Sequence, residues 1–314
     1  MKLHKYPDDF NELIPIVASW KGIPDDAVYR DYYIVMMLMK LSESEYADSC
    51  VFKGGTSLSK CYPESIERFS EDIDLTYIPE VELSNKQYDK ALKQIEKIMS
   101  QGGRLEKIGP ERNDRNKSSF VWFDDDGHEH GKIKLEIGSS VRPDPYDKKP
   151  LWTYIQEYLE KTNHQKEIEK YELKEICVNT LGIERTFLDK VMSVKRHAIC
   201  GTLSQKVRHI YDVTRLYEMP EIKAFLENRN ELKRLIRLTK DTDGFYLERR
   251  GIAEEYDPVG AYDFDSWNER LDNTIRKRYE SLHEDLLYTN ERQDFAKALK
   301  TFEELDAVFK LVGE

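Results

Sequence analysis

No stretch of this 314-residue chain approaches the roughly 20 apolar residues that a membrane-spanning helix needs; the longest candidate is YYIVMMLM, Tyr32 to Met39. The segment MKLHKYPDDF also lacks the apolar core of a secretory signal, so the expectation is a cytoplasmic protein with no membrane association. Cysteine is sparse. Cys50, Cys61, Cys177 and Cys200 stand far apart without a CxxC pair, which points to reduced thiols and indicates neither a zinc site nor a disulfide framework. Internal repeats and low-complexity tracts are missing. An overall basic surplus is missing as well: 49 Lys and Arg against 60 Asp and Glu leave a net charge of −11, which opposes broad, non-specific nucleic-acid binding. That balance does not exclude a local basic groove: residues 184–215 carry seven Lys or Arg (185, 190, 195, 196, 206, 208, 215) against three acids (184, 189, 212). A solvated helix face is the competing reading of that run.

What is present is a core and a pattern. A hydrophobic fraction of 39% that includes 19 tyrosines and 12 phenylalanines can fill a packed interior, and the length suits two domains. DDAVYRDYYIVMMLMKLSES reads as a buried helix that Asp25 or Asp26 can cap. CVFKGG is a short β-prone piece ending at glycines, and TSLSKCY suits a helical turn. DIDLTYI alternates Ile73, Leu75 and Tyr77 with Asp72, Asp74 and Thr76, the period of a strand with one core face. NKQYDKALKQIEKIMSQGG has helical spacing and a glycine stop, and SSFVWF, DDDGHEHG and KIKLEIG together read as a hairpin. The proline cluster VRPDPYDKKP predicts a boundary, giving an α/β domain over 1–145 and a mostly helical one over 146–314. The later segments RTFLDKVMSVKRHAI, SQKVRHIYDVTRLYE, EIKAFLENRNELKRLIRL, WNERLDNTIRKRYESLHEDLL and DFAKALKTFEELDAVFKLV all look helical. The expected fold class is α+β.

The chemistry concentrates in FKGGTSLSKCYPESIERFSEDIDL, Phe52 to Leu75. Asp72 and Asp74 at alternate strand positions project from one face about 6.6 Å apart, at ~3.3 Å per residue, and can share a metal centre. On the second hairpin strand Ile133, Leu135 and Ile137 point inward, leaving Lys134 and Glu136 on the other face, so Glu136 is the natural third carboxylate. Three carboxylates repel by an amount on the order of kcal/mol per pair, which a divalent cation relieves. Oxygen ligands suit Mg²⁺ or Mn²⁺ better than zinc. Gly54 and Gly55 let backbone approach a ligand, and Thr56 and Ser57 add hydroxyls and amides at a helix amino end, where phosphate is favoured. A triphosphate fits between the two parts. GGTS alone is also explained by a structural turn, and DID alone by an acidic strand edge.

Taken together, FKGGTSLSK, RFSEDIDL, KLEI, ERTFLDKV and RHIYDVTRL, in that order, resemble the AbiEii-type nucleotidyltransferase toxins of bacterial toxin-antitoxin systems and the related MenT toxins. The resemblance spans roughly residues 31–216. It implies a nucleotidyltransferase-like mixed sheet flanked by helices, followed by a helical domain that contributes Lys190 and Asp212 to the cleft. It assigns Gly55, Thr56 and Ser57 to the phosphate-binding motif, within a nucleotide-binding set that also takes in Lys53, Gly54, Arg68 and Lys190. Asp72 and Asp74 match the metal-binding pair and Glu136 the third acidic position. The catalytic set implied is Asp72, Asp74, Glu136, Lys190 and Asp212. The implied reaction uses an NTP with Mg²⁺ or Mn²⁺ and releases pyrophosphate. The implied acceptor is RNA, specifically the tRNA 3′ end, and the implied partner is a cognate antitoxin in an abortive-infection or phage-defence setting.

Residue chemistry leaves alternatives beside each assignment. Lys190 can meet phosphate as a point charge or serve as an i,i+4 ion partner. Asp212 can orient Lys190, contact nucleotide, or pair with Arg208. Arg68 can meet phosphate or neutralise the acidic cluster. His128 and His130 in DDDGHEH have metal-friendly spacing but sit where a solvated turn is expected, and His197 and His209 are expected to pack. Two other classes compete with a transferase: a non-catalytic nucleotide-binding module, and a metal-dependent nuclease.

Overall fold

The computed structural model describes residues 1–68, 70–123, 131–247, 260–289 and 291–313. The chain divides into two compact units, Met1–Tyr62 with Phe69–Leu181, and Pro63–Arg68 with Gly182–Glu314.

The first unit is built on a seven-stranded mixed sheet. Helices α1 (Pro7–Lys21) and α2 (Asp25–Ser42) precede β1 (Cys50–Lys53), α3 (Gly54–Cys61), β2 (Asp72–Tyr77) and α4 (Asn85–Met99). Strands β3 (Arg104–Lys107), β4 (Asn116–Trp122), β5 (Ile133–Gly138) and β6 (Tyr146–Leu151) follow, then α5 (Tyr154–Lys161), α6 (Gln165–Lys170) and β7 (Ile176–Leu181). Spatial order is β3-β4-β5-β2-β1-β7-β6. Strand β2 lies antiparallel to β1 and parallel to β5, so both neighbours of the DID strand come from segments distant in sequence.

Alternation places Ile73, Leu75, Ile133, Leu135 and Ile137 in the core, each at most 1% exposed. Helix α4 covers this region through Tyr88, Leu92, Ile95 and Met99, starting from a capping box between Ser84 and Gln87. Helix α2 is buried over most of its circumference, as its composition predicts. Its cap differs from the expectation: Pro24 occupies the N-cap, and Asp25 and Asp26 lie in the first turn, where their charge favours the positive end of the helix dipole.

The proline cluster does not end the sheet. Tyr146–Leu151 forms β6, antiparallel to β7 with Pro150 opposite Cys177, and β7 runs parallel to β1. An edge strand needs hydrogen-bond partners on one side only, which is where proline is tolerated. The expected division at 145/146 thus falls inside the first unit, which continues to Leu181.

The second unit is helical: α7 (Ile183–Ile199), α8 (Val207–Tyr217), α9 (Pro220–Glu227), α10 (Arg229–Leu247), α11 (Asn273–Glu280), α12 (Leu282–Asp285) and α13 (Phe295–Val312). Phe187, Val191, Val194, Ile210, Val213, Leu216 and Phe302 are fully buried within it. The segment 63–68 joins this unit through Tyr288, whose amide donates to the Glu67 carbonyl at 3.0 Å. No helix among the described residues is long and apolar enough to cross a membrane.

Candidate active site

In the first unit the phosphate-type turn and the carboxylates meet through strand pairing. Lys53, extended at φ −145, is the N-cap of α3 and the register partner of Asp74 across β1 and β2. The next residue, Gly54, turns the chain with φ +88. A Cβ at Gly54 would lie 2.2 Å from Asp74 Oδ2, so glycine is what lets the carboxylate sit flush against the start of the helix. Asp72 and Asp74 are half-buried on one face of β2, and Glu136 of β5 is the register partner of Asp74.

The hydroxyls of the GGTS turn serve the fold. Thr56, 2% exposed, bonds the carbonyl of Asp72 and lies 3.0 Å from the Ser70 hydroxyl, fastening α3 to β2. Ser57, fully buried, donates to the Gly54 carbonyl at 3.0 Å. Both hydroxyls were expected to face a ligand; instead they turn inward because their oxygens satisfy local backbone groups. What the turn presents is the amino end of α3, which has no side-chain cap. Gly55 completes the first turn between them.

In the second unit Arg68, Lys190 and Asp212 form a buried triad, 1%, 6% and 0% exposed. Arg68 Nε and Nη2 donate to Asp212 Oδ1 and Oδ2 at 2.5 and 2.7 Å, and Lys190 Nζ donates to Oδ2 at 2.6 Å. Burial would raise the Asp212 carboxyl, but Arg68 and Lys190 outweigh it and hold the group well below the usual carboxylate range. Burial lowers Lys190 despite the pull of Asp212. Two cations against one carboxylate leave the triad with a net positive charge. Of the alternatives for Asp212, the structure shows the pairing with Lys190, and it adds Arg68, which was not among them.

These elements accompany a family match over most of the chain. A family model described as "Nucleotidyl transferase AbiEii toxin, Type IV TA system" matches residues 37–309. The chain belongs to that family. It is therefore a nucleotidyltransferase toxin of the toxin-antitoxin class, with an α+β fold of mixed sheet and flanking helices. Two solved structures are similar to it. MenT4, a nucleotidyltransferase toxin from Mycobacterium tuberculosis H37Rv, aligns at TM-score 0.49 and 17% identity over 96% of this chain and 99% of that one. JHP933 from Helicobacter pylori aligns at TM-score 0.42 and 16% identity over 92% of each chain. No curated protein matched the sequence.

Some features of this AbiEii chain were not apparent from its sequence, and others were expected. Lys134 Nζ lies 2.8 Å from Glu136 Oε1 and 2.9 Å from Glu111 Oε2. Burial would lower this lysine, yet its two carboxylate partners push it up to about 12. Among the described residues, no group of three or more His, Cys, Asp or Glu is gathered closely enough to hold a metal ion. The turn carrying His128 and His130 lies outside the described residues. His197 Nδ1 is 2.7 Å from Thr202 Oγ1 and His209 Nδ1 is 3.0 Å from Ser193 Oγ, both packed, with burial lowering the first to about 4. Three of the seven basic residues of the run at 184–215 are internal: Arg185, Lys190 and Lys195 are each at most 6% exposed, and Arg185 pairs with Asp189 at 2.8 Å.

Lys60 anchors the far end of α3. Its Nζ bonds Asp31 Oδ1 at 2.5 Å beneath the Tyr154 ring, while Asp31 Oδ2 accepts the Tyr154 amide at 2.7 Å. Both side chains of the ion pair are buried. Lys60→Met is expected to destabilise the protein by about 3 kcal/mol, because it strands a buried carboxylate; urea unfolding measures this. Gly54→Ala is expected to cost about 1–2 kcal/mol from its left-handed backbone. It also drives the Asp74 carboxylate aside, so NTP-dependent transfer should fall about 100-fold, a loss on the scale of a displaced catalytic group. A steady-state transfer assay beside a thermal melt separates the two effects.

Proposed function

We propose that this chain transfers a nucleotidyl group from an NTP to a hydroxyl of RNA, with the tRNA 3′ end as acceptor, and releases pyrophosphate. The observation that supports it most is the contact of Gly54 with Asp74: an uncapped helix amino end, suited to phosphate, lies against the carboxylate pair. Two oxygen-donor side chains on one strand face, Asp72 and Asp74, fit a divalent ion such as Mg²⁺ or Mn²⁺. Asp72 and Asp74 would hold that ion, which when bound neutralises phosphate charge and activates the attacking hydroxyl. Lys53, Gly54 and Gly55 with the amides of Thr56 and Ser57 orient the triphosphate. In the second unit Lys190 supplies positive charge to a phosphate, and Asp212, with Arg68, holds the lysine in place. The family implies a cognate antitoxin.

The test is incubation of the purified protein with Mg²⁺, each of four α-³²P-labelled NTPs in turn and total bacterial RNA, followed by a denaturing gel. Label is expected in a tRNA-sized band with wild type and not with Asp74→Ala. Shortened RNA would indicate a nuclease, and bound NTP without transfer a binding module; either would sink the proposal.

A further inference from the structure

We infer that Lys134 is a built-in counter-ion that holds Glu136 out of the metal's ligand set, so that Asp72 and Asp74 take a single divalent cation. The inference rests on the metal role proposed above for those two aspartates.

Parallel pairing of β2 with β5 sets Asp72 beside Lys134 and Asp74 beside Glu136. The result is a square of three acids and one cation on one sheet face. Adjacent strands run about 4.8 Å apart, so the backbone leaves Glu136 within reach of Asp74. The side chain of Glu136 engages other groups: Lys134 Nζ lies 2.8 Å from its Oε1, and the Ser118 hydroxyl donates to the same oxygen at 3.3 Å. No three-acid ligand group forms among the described residues.

Lys134 is itself gripped from a second direction. Glu111, at the end of the turn Gly109–Glu111, holds Nζ at 2.9 Å, so moving the ammonium away would unpair two carboxylates at once. An ammonium has donors only and cannot ligate a cation. Held between Glu136 and Glu111, it repels a second dication at that corner and occupies the Glu136 oxygen that would otherwise face one.

The experiment is titration of the folded full-length protein with MnCl₂ alone, free Mn²⁺ being counted by electron paramagnetic resonance. Wild type is expected to bind one Mn²⁺ per chain. Asp74→Asn should weaken binding by about tenfold or more, the usual scale for losing a ligand or its support, whereas Glu136→Gln should change it less than about twofold. Lys134→Met, which keeps the aliphatic stem, should tighten Mn²⁺ by about fivefold or add a second ion, since it removes a like charge and frees Glu136. General damage to the sheet would weaken binding, so tightening is a signature of the counter-ion. Two ions in wild type, an effect of Glu136→Gln as large as that of Asp74→Asn, or unchanged or weaker binding in Lys134→Met each overturns the inference and leaves the aspartate site standing. Indifference of Mn²⁺ binding to Asp74→Asn overturns the aspartate site and the inference with it.

Discussion

Asp74→Asn is expected to lower nucleotide transfer by about 10³-fold while leaving the fold in place. Losing one of the two carboxylates proposed to hold the metal would remove on the order of 4 kcal/mol of transition-state stabilisation, and each ~1.4 kcal/mol is a factor of ten. Stability should change by less than about 1 kcal/mol, because the side chain is half-buried and its strand is held by backbone pairing to Lys53 and Glu136. The isosteric amide still fits beside Gly54. Single-turnover transfer from a labelled NTP, read beside a urea melt, measures both quantities. Transfer within tenfold of wild type in a folded variant would remove Asp74 from the metal's ligands. The contrast with Glu136→Gln sharpens the result: that carboxylate already has a cation in Lys134, so the smaller loss is expected there.

Local periodicity carried much of the fold. Alternation in DIDLTYI and KIKLEIG is the physical signal of a half-buried strand, and β2 and β5 occupy those segments with the isoleucines inward. The helical segments of the second unit were legible for the same reason, though Asn228 divides one of them into α9 and α10, and residues 264–270 form two 3₁₀ turns before α11. Strands β6 and β7 were not legible. Prolines in VRPDPYDKKP resemble a linker until an edge position is known, and ICVNTL is too short and apolar for its period to be decisive. In the site, residue types and order were visible but partners were not. Arg68 and Asp212 are 144 positions apart, and a single sequence gives no geometry for such a pair. Lys134 had been placed on the correct face, yet only strand register showed it opposite Asp72. The inward turn of Thr56 and Ser57 was equally hidden, since a hydroxyl at a helix start serves backbone or ligand with the same composition.

Asp212→Asn is expected to destabilise the second unit by about 3–5 kcal/mol, a large share of the ~5–15 kcal/mol that holds a domain folded. The carboxylate is fully buried and accepts three charge-assisted hydrogen bonds from two buried cations. Asparagine keeps one acceptor but places an N–H₂ donor against an ammonium or a guanidinium, leaving Arg68 and Lys190 without a counter-charge. The sign of the pH dependence follows from the shifts. A carboxyl held below its ordinary value contributes its full stability above the unfolded pKa of ~3.9 and loses it as pH falls toward the folded value. The wild-type advantage should therefore shrink in acid. On the alkaline side, burial and Arg68 already lower Lys190 against the pull of Asp212, and removing that pull lowers it further. A lysine that binds protons less well when folded gains stability as pH rises toward its unfolded value of ~10.4, so the variant's deficit narrows there too. Urea midpoints at pH 3, 7 and 9.5 should show the gap largest at pH 7. A gap below about 1 kcal/mol at pH 7, typical of an exposed pair, would mean that water reaches the triad and that Asp212 is not what holds Lys190 in place.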